Sequence, residues 1–359
     1  MRVIRVLHVI SEMATGGAES LVVEMVRRSG DVGWQCAVAS HGGRRVDDLV
    51  EAGVPHFDIP HPRRTLRGLI SARKATARVV KQFRPDIVIA HNVSATIVTR
   101  LARPKVPVLT IFQGVTASDY RNAARILNFT SNRVVTVSDA IGRRLVRAGL
   151  RGMSVMTIRN AVTPPVLRSR SQARAELNIP PTAPVALCLA RMERQKRHDL
   201  LLDAWHKLSG DEILLLAGDG SQRPKLERQA LALTDRVRFL GDRSDVPVLL
   251  AAADITVLIS DWEGLPIAVL ESLAAGRPVV ASDVDGVGEI LRDGGGTCVP
   301  PGDVDAIAAA LRDMLHDGTA RRRAAHIGLS TIANSYDAAR MMAQYQDVVS
   351  EMLAEAEPS

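Results

Sequence analysis

From end to end the chain alternates short runs of Val, Ile and Leu with segments whose apolar residues recur at helical spacing. That alternation is the mark of a parallel sheet covered on both faces by its connecting helices. In the first half IRVLHVI, WQCAVAS, PHFDI, DIVIA, VPVLTI and RVVTVS read as strands, with helices expected near 18–29, 66–83, 94–102 and 138–149. The pattern breaks at NAVTPPVLRSRSQ, around 160–172, where Pro, Ser and Arg crowd together and a linker is expected. It restarts with PVALCLA, EILLLAG, RVRFLG, DITVLI, RPVVAS and GTCVPP, between helices expected near 198–208, 223–233, 266–275, 303–316 and 320–328. At 359 residues the chain exceeds one ordinary doubly wound unit and suits two. The expected organisation is α/β: domains over 1–165 and 166–335, then a final helix within 336–359. Ligands of such sheets sit at the carboxyl ends of the strands, so the chemistry is sought in the loops that follow them.

Composition narrows the function classes. Three Trp, three Tyr and five Phe leave little from which to build a base-stacking platform, so no nucleic acid partner is expected. Cys36, Cys188 and Cys298 are far apart, lack metal or redox spacing, and read as reduced, buried small hydrophobes. MRVIRVLHVI is a first strand rather than a signal peptide, and no apolar run reaches the roughly 18 residues of a membrane span, so a cytoplasmic protein is expected. The charge is unevenly divided: residues 1–160 hold 25 Lys/Arg against 11 Asp/Glu, and the other 199 hold 21 against 28. Within 63–84 stand eight basic residues and no acidic one, with Leu66, Leu69, Ile70, Ala77 and Val80 spaced as one face of a helix. Such a helix suits peripheral contact with an anionic membrane at its inner face, or a solvated surface in an Arg-biased proteome.

In the second half, EGLPIAVLE sets Glu263 and Glu271 on either side of a Gly-Leu-Pro turn between a strand and a helix. Pro266 suits the first helical position, and the amides that follow Gly264 form an anion site at the positive end of the helix. One carboxylate can then meet a sugar near phosphates while the other accepts hydrogen bonds from ribose; an exposed, merely solvated Glu is the plainer alternative. Arg191 and Lys196 follow the second domain's first strand, where they can clamp a diphosphate through charge-assisted bonds. Gly218 and Gly220 follow the next strand and permit close backbone approach.

Taken together and in order, Arg191 with Lys196, AGDG at 217–220, RFLG at 238–241, EGLPIAVLE and AAGRPVVASDVDGVGEIL resemble the retaining GT-B glycosyltransferases of the large GT4 type, the glycosyl transferases group 1. TGGAE at 15–19, DIVIAHN at 86–92 and VVTVSDAIGRRL at 134–145 extend the resemblance over nearly the whole chain. It implies two Rossmann-like domains facing each other across a cleft, with a C-terminal helix crossing back to the first. It also implies a UDP- or GDP-sugar donor, UDP favoured, an acceptor on the first domain, and no metal or other cofactor. By that likeness Arg191 and Lys196 neutralise the diphosphate, Glu271 holds the ribose, and Glu263 with Gly264, Leu265, Pro266 and Ile267 positions sugar and phosphate. Gly16 and Gly17 would close over the same group. The acceptor is expected among cell-envelope lipids, saccharides or natural products.

The sequence departs from the family where a histidine usually sits beside the sugar: TIFQG places Gln113 there, which can hydrogen-bond but carries no proton. His91, matching the second member of a common His-x-His pair whose first is Ile89 here, becomes the ionisable candidate, with a structural hydrogen bonder as the plainer alternative. Gln113 and Ser138 are expected as sugar or acceptor contacts. Asp283-Val284-Asp285 has the form of a metal-binding DxD but falls where the family has a turn, and Asp303 reads as a helix N-cap. Two other functions compete: a nucleotide-sugar or membrane-surface binding protein without catalysis, and an NAD-dependent oxidoreductase. The latter is opposed by TGGAES, which lacks GxGxxG, and by the absence of an acidic residue after the second strand.

Overall fold

The structure is a computed structural model and describes residues 3–61, 65–150 and 155–356. The chain divides into two compact units, one built from residues up to Asn160 together with the C-terminal segment from Ala338, the other from Ala161–Asp337. Each contains one wholly parallel sheet.

The first sheet runs β1 (Ile4–Val9), β2 (Trp34–Ser40), β3 (His56–Asp58), β4 (Ile87–Ala90), β5 (Val108–Phe112), β6 (Arg133–Thr136) and β7 (Val155–Thr157) along the chain. In space the order is β3-β2-β1-β4-β5-β6-β7, so the winding reverses between β1 and β4. Alternation along the strands explains the apolar runs: Leu7, Val9, Ala37, Ala39, Val88 and Ala90 join one core cluster, while His8 and Cys36 face the other side. The helix Leu66–Phe83 buries Ala72, Thr76, Val79 and Phe83. This displaces the apolar face expected from Leu69, Ile70, Ala77 and Val80: Leu69, Ala77 and Val80 lie at its margins and Ile70 is exposed. Arg63, Arg64 and the side chain of Leu66 lie outside the described residues. The C-terminal helix Ala338–Ala356 belongs to this unit, where Gln346 accepts from the Trp34 indole and Glu351 and Glu355 pair with Arg133 at 2.6 Å each.

The second sheet is formed by β8 (Val185–Leu189), β9 (Ile213–Ala217), β10 (Val237–Gly241), β11 (Ile255–Leu258), β12 (Val279–Ser282) and β13 (Gly296–Val299), ordered β10-β9-β8-β11-β12-β13. Ala186, Cys188, Leu214 and Leu216 pack into one core cluster with Trp205 and Leu311. Val185, Leu187, Ile213 and Leu215 face a second cluster with Leu249 and Leu250. Cys36 and Cys188 are buried, but Cys298 is exposed on the edge strand β13, where one side chain in two points away from the core. Where the chain enters and leaves this unit, the Val162 amide donates to the Tyr336 carbonyl at 3.3 Å. A helix not anticipated from the Pro- and Ser-rich 160–172 stretch begins inside it, Arg170–Glu176, capped by Ser169, which accepts from the Gln172 amide. Asp303 caps Val304–His316 as its position before the alanine-rich run suggests.

Candidate active site

In the second sheet the winding reverses between β8 and β11, which lie side by side. The crevice outside such a reversal is where doubly wound sheets receive ligands. The loop after β8 carries Arg191 and Lys196, and the loop after β11 carries Glu263 and Gly264. They meet: Lys196 Nζ donates to Glu263 Oε1 at 2.5 Å, and Ser260 Oγ donates to the same oxygen at 2.6 Å. Glu263 is only 6% exposed, so its charge stands in a largely dry place and is matched by the lysine. The two loops are laced further by the Asp261 amide to the Gln195 carbonyl (2.9 Å), Gln195 Nε2 to the Trp262 carbonyl (2.6 Å) and Arg197 Nη1 to Asp261 Oδ1 (2.9 Å). Arg191 is exposed beside this structure.

Beneath the ion pair lie Cys188 and His198, with Sγ and Nε2 3.6 Å apart. Burial pushes the Cys188 thiol up to about 12, opposed by Lys196 and reinforced by Glu263, and burial lowers His198 to about 4, reinforced by Lys196. Both groups are therefore neutral supports of the floor rather than proton carriers.

The helix Ile267–Ala274 starts one residue later than the sequence suggests, leaving Pro266 as its N-cap, because the Pro266 backbone is extended at ψ 118°. Pro266 still accepts the first bonds, from Val269 and Leu270. No side chain caps this N-terminus, so its first amides are offered to a ligand. Leu265 and Ile267 are buried, and Glu271 is half-buried one turn into the helix. Gly286, in the first turn of the short helix Asp285–Ile290 that follows β12, packs its Cα against the Gly264 carbonyl, where a Cβ would stand 1.9 Å away. Val284 and Asp285 thus cap and open a helix whose first turn braces the Gly264 loop, which is the place of the DxD triplet in the fold.

Gly218 and Gly220 follow β9 and are pressed against the chain's own backbone. A Cβ on Gly218, at φ +138°, would lie 2.1 Å from the Ala190 carbonyl oxygen, and one on Gly220 would lie 2.6 Å from that of Met192. Their close approach therefore shapes the Arg191 loop. Ser221 then completes the turn, its amide and hydroxyl holding the Glu193 carboxyl below its usual range.

In the first unit Gly16 and Gly17 open the helix Gly17–Arg27, with Gly16 in extended backbone at its N-cap and no side-chain cap. A Cβ on Gly16 would strike the Glu19 carboxylate. His91 is not the ionisable group expected: it is 1% exposed, its Nε2 lies 2.9 Å from His8 Nδ1, and burial together with His8 holds its pKa well below the usual value. His8, lowered to about 3 by burial, reaches Cys36 Sγ at 3.5 Å, so the pair forms a neutral buried chain. Ser138 is likewise withdrawn from substrate: fully buried, it caps Asp139–Arg147 by accepting from the Ile141 amide. Gln113, half-buried after β5, keeps a buried amide nitrogen with no hydrogen-bond partner among the described residues.

Two doubly wound parallel units, with cations, carboxylates and an uncapped helix at the switch point of the second, define a GT-B type architecture. Residues 169–329 match the family model described as Glycosyl transferases group 1, and residues 15–164 match that of Glycosyltransferase Family 4. The chain belongs to this family and is a glycosyltransferase of the GT4 type. Lipopolysaccharide core biosynthesis glycosyltransferase LpsE of Rhizobium meliloti (strain 1021) is 36% identical over 166 residues, a match that covers 45% of this chain and about half of LpsE, 48%. LpsD of the same organism is 26% identical over 338 residues, 93% of this chain and 94% of LpsD. The crystal structure of Anabaena Alr3699/HepE in complex with UDP and glucose shares the fold, with a TM-score of 0.86 at 21% identity over 97% of this chain and 99% of that one.

Proposed function

We propose that the protein is a retaining hexosyltransferase that moves a sugar from a nucleoside diphosphate sugar, UDP favoured over GDP, to a cell-envelope lipid or saccharide or to a natural product, with no metal required. The observation that carries this is the meeting of Lys196 and Glu263 at the switch point, 2.5 Å apart. As the bond at the anomeric carbon breaks, negative charge gathers on the departing diphosphate. Lys196, Arg191 and the amides that open Ile267–Ala274 are the fixed positive groups able to meet it, and such preorganised donors lower the barrier most where water is excluded. Glu263 takes the sugar side and Glu271 the ribose. The UDP preference is supported by the HepE complex with UDP and glucose, the cell-envelope acceptor by LpsE and LpsD, and retention by family likeness.

Calorimetric titration of UDP, GDP, ADP and NAD without added metal tests the donor reading. Preferential binding of UDP or GDP is expected; binding of NAD alone would return the first unit to the dehydrogenase reading.

A membrane-borne, anionic acceptor is favoured by the first unit's helical layer. Opposite the buried stripe of Leu66–Phe83 stand Arg67, Lys74, Arg78 and Lys81, all exposed. This helix packs on Val93–Leu101, that one on Tyr120–Thr130, and the next is Asp139–Arg147. Each offers an exposed apolar side chain among basic ones: Ile70, Leu101, Phe129 and Val146, with Phe129 78% exposed. Cations with scattered apolar tips suit an anionic lipid surface. No helix among the described residues is long and apolar enough to cross a membrane.

A further inference from the structure

The two oxygens of the Glu263 carboxylate are treated differently by the fold. Oε1 accepts both Lys196 Nζ at 2.5 Å and Ser260 Oγ at 2.6 Å, whereas Oε2 has no hydrogen bond to any described residue. A carboxylate has roughly four acceptor sites, so half of this one's capacity is used on one side and the rest is left over in a nearly buried group. Oε2 is not sealed in with the buried atoms, so it stands as the acceptor that an entering ligand can reach. That ligand brings N–H or O–H, because a phosphate would meet the carboxylate charge with its own. Ser260 is itself held. It is 2% exposed at the end of β11, and its amide donates to Ser282 Oγ at 3.1 Å, tying it to the end of the neighbouring strand β12.

We propose that Ser260 is a positioning residue of the donor site: with Lys196 it locks Glu263 Oε1 and so turns Oε2 toward a hydroxyl of the donor sugar. The inference rests on the donor reading above. It assigns to Ser260, and through it to Ser282, a share in recognition of the sugar but none in binding of the nucleotide. Without the Ser260 hydroxyl the carboxylate keeps its lysine yet is free to rotate, so sugar contacts weaken while the diphosphate clamp persists.

The test is calorimetric titration of UDP and UDP-glucose, or GDP and GDP-mannose if guanine is the preferred base, into the wild type, Ser260→Ala and Ser260→Thr. Ser260→Ala is expected to leave the nucleoside diphosphate Kd within about twofold and to weaken the sugar nucleotide about tenfold, with Ser260→Thr restoring it. Equal weakening of both ligands would overturn the proposal, since Ser260 would then merely hold the loop, and so would unchanged affinity for the sugar nucleotide. If Ser260→Ala does not fold, Ser260→Cys, which keeps the size but donates poorly, is read against the same outcomes. A wild type that binds no nucleotide would overturn the donor reading itself, and that result is seen before any variant is titrated.

Discussion

Lys196 and Glu263 lie 67 residues apart in sequence and 2.5 Å apart in space. Their meeting follows from strand order: β8 and β11 are neighbours although β9 and β10 intervene in the chain, so the loops after them share one edge of the sheet. The pair links stability to function. Before a ligand arrives, the carboxylate and the lysine are each other's partner in a place where water scarcely reaches. On the proposed donor reading, a diphosphate draws on a cation already engaged, and it gains most when the sugar compensates Glu263 at the same time.

Truncating the lysine therefore affects more than binding. A loop lysine is expected to be removable without cost to folding, but here Lys196→Ala leaves a buried carboxylate with only Ser260 for support. A loss of about 3 kcal/mol is expected, at the low end for a broken buried pair. Adding Glu263→Gln should restore most of it, since a neutral amide needs no counter-ion. Urea unfolding of the single and double variants checks this, and equal stability of Lys196→Ala and wild type would show that the pair contributes nothing. Donor affinity should fall at least about tenfold in both.

Glu271 offers a cleaner separation of binding from folding, because it is half-buried on a helix rather than locked into the loop pair. Glu271→Gln should weaken binding of the preferred nucleoside diphosphate about tenfold and shift stability by less than about 1 kcal/mol. The analogue lacking both ribose hydroxyls should bind wild type and variant alike. A tenfold difference that survives with that analogue would remove Glu271 from the ribose.

Much of this architecture can be read from residue order alone, because strands buried on both faces appear as unbroken apolar runs. What escapes is short, marginal or dependent on strand order. β7, Val155–Thr157, is a three-residue edge strand of half-buried residues and produces no such run. Tyr120–Thr130 hides its inward face in Ala123, Ala124, Tyr120 and Leu127 among polar neighbours, and Val246–Ala252 merges with the apolar run that continues into β11. Among the proposed site residues, Arg191, Lys196, Glu263 and Glu271 stand out in the sequence because charge in a loop or early in an apolar helix has few structural uses. Ser282 and His8 do not, since their partners come from neighbouring strands, and Ser260 does not, since a serine at the end of a strand does not announce the turn that brings its hydroxyl to Glu263. His91 and Ser138 look like substrate contacts in one dimension and prove to be a buried pair member and a helix cap.

Gly218 tests whether the glycines of AGDG serve the fold before the ligand. At φ +138° with the Ala190 carbonyl oxygen 2.1 Å from a modest Cβ, Gly218→Ala must displace the end of β8 and the loop that begins with Arg191. A stability loss of at least about 2 kcal/mol is expected even without any nucleotide. Unchanged unfolding with reduced donor affinity would instead assign this glycine to ligand approach.

The buried histidines predict an acid-sensitive fold. His8, lowered to about 3, His198, lowered to about 4, and His91, lowered well below its usual value, are all depressed chiefly by burial. The unfolded chain binds these protons near pH 6.5, before the folded one does, so their contribution is complete above that pH and is lost as pH falls toward the folded values. Each adds a slope of up to about 1.4 kcal/mol per pH unit between about 6.5 and 4. Urea unfolding at pH 7.5 and 5.0 should show a clear drop, and His198→Gln should shrink it. A flat profile would mean that these histidines are protonated as easily in the folded chain as in the unfolded one.

Lipid binding by the first unit follows from both charge and exposed apolar tips, and the two make separable demands. The cations opposite the buried stripe of Leu66–Phe83 attract an anionic surface over about a Debye length, roughly 8 Å at physiological salt, so binding should require anionic lipid and weaken steeply as salt rises. Replacing Arg67, Lys74, Arg78 and Lys81 with Gln removes the attraction without touching Ala72, Thr76, Val79 or Phe83, so the fold should keep its stability to within about 1 kcal/mol. Phe129→Ser acts differently: a ring 78% exposed contributes little to folding, but its insertion would add affinity that salt does not screen. Sedimentation with vesicles of neutral phosphatidylcholine, and with the same lipid containing phosphatidylglycerol, is expected to pull down the wild type only with the latter. The four-Gln variant should lose binding at every salt concentration, whereas Phe129→Ser should lose chiefly the fraction that persists at high salt. Equal sedimentation with neutral and anionic vesicles would defeat the electrostatic reading and leave this helical layer a solvated surface.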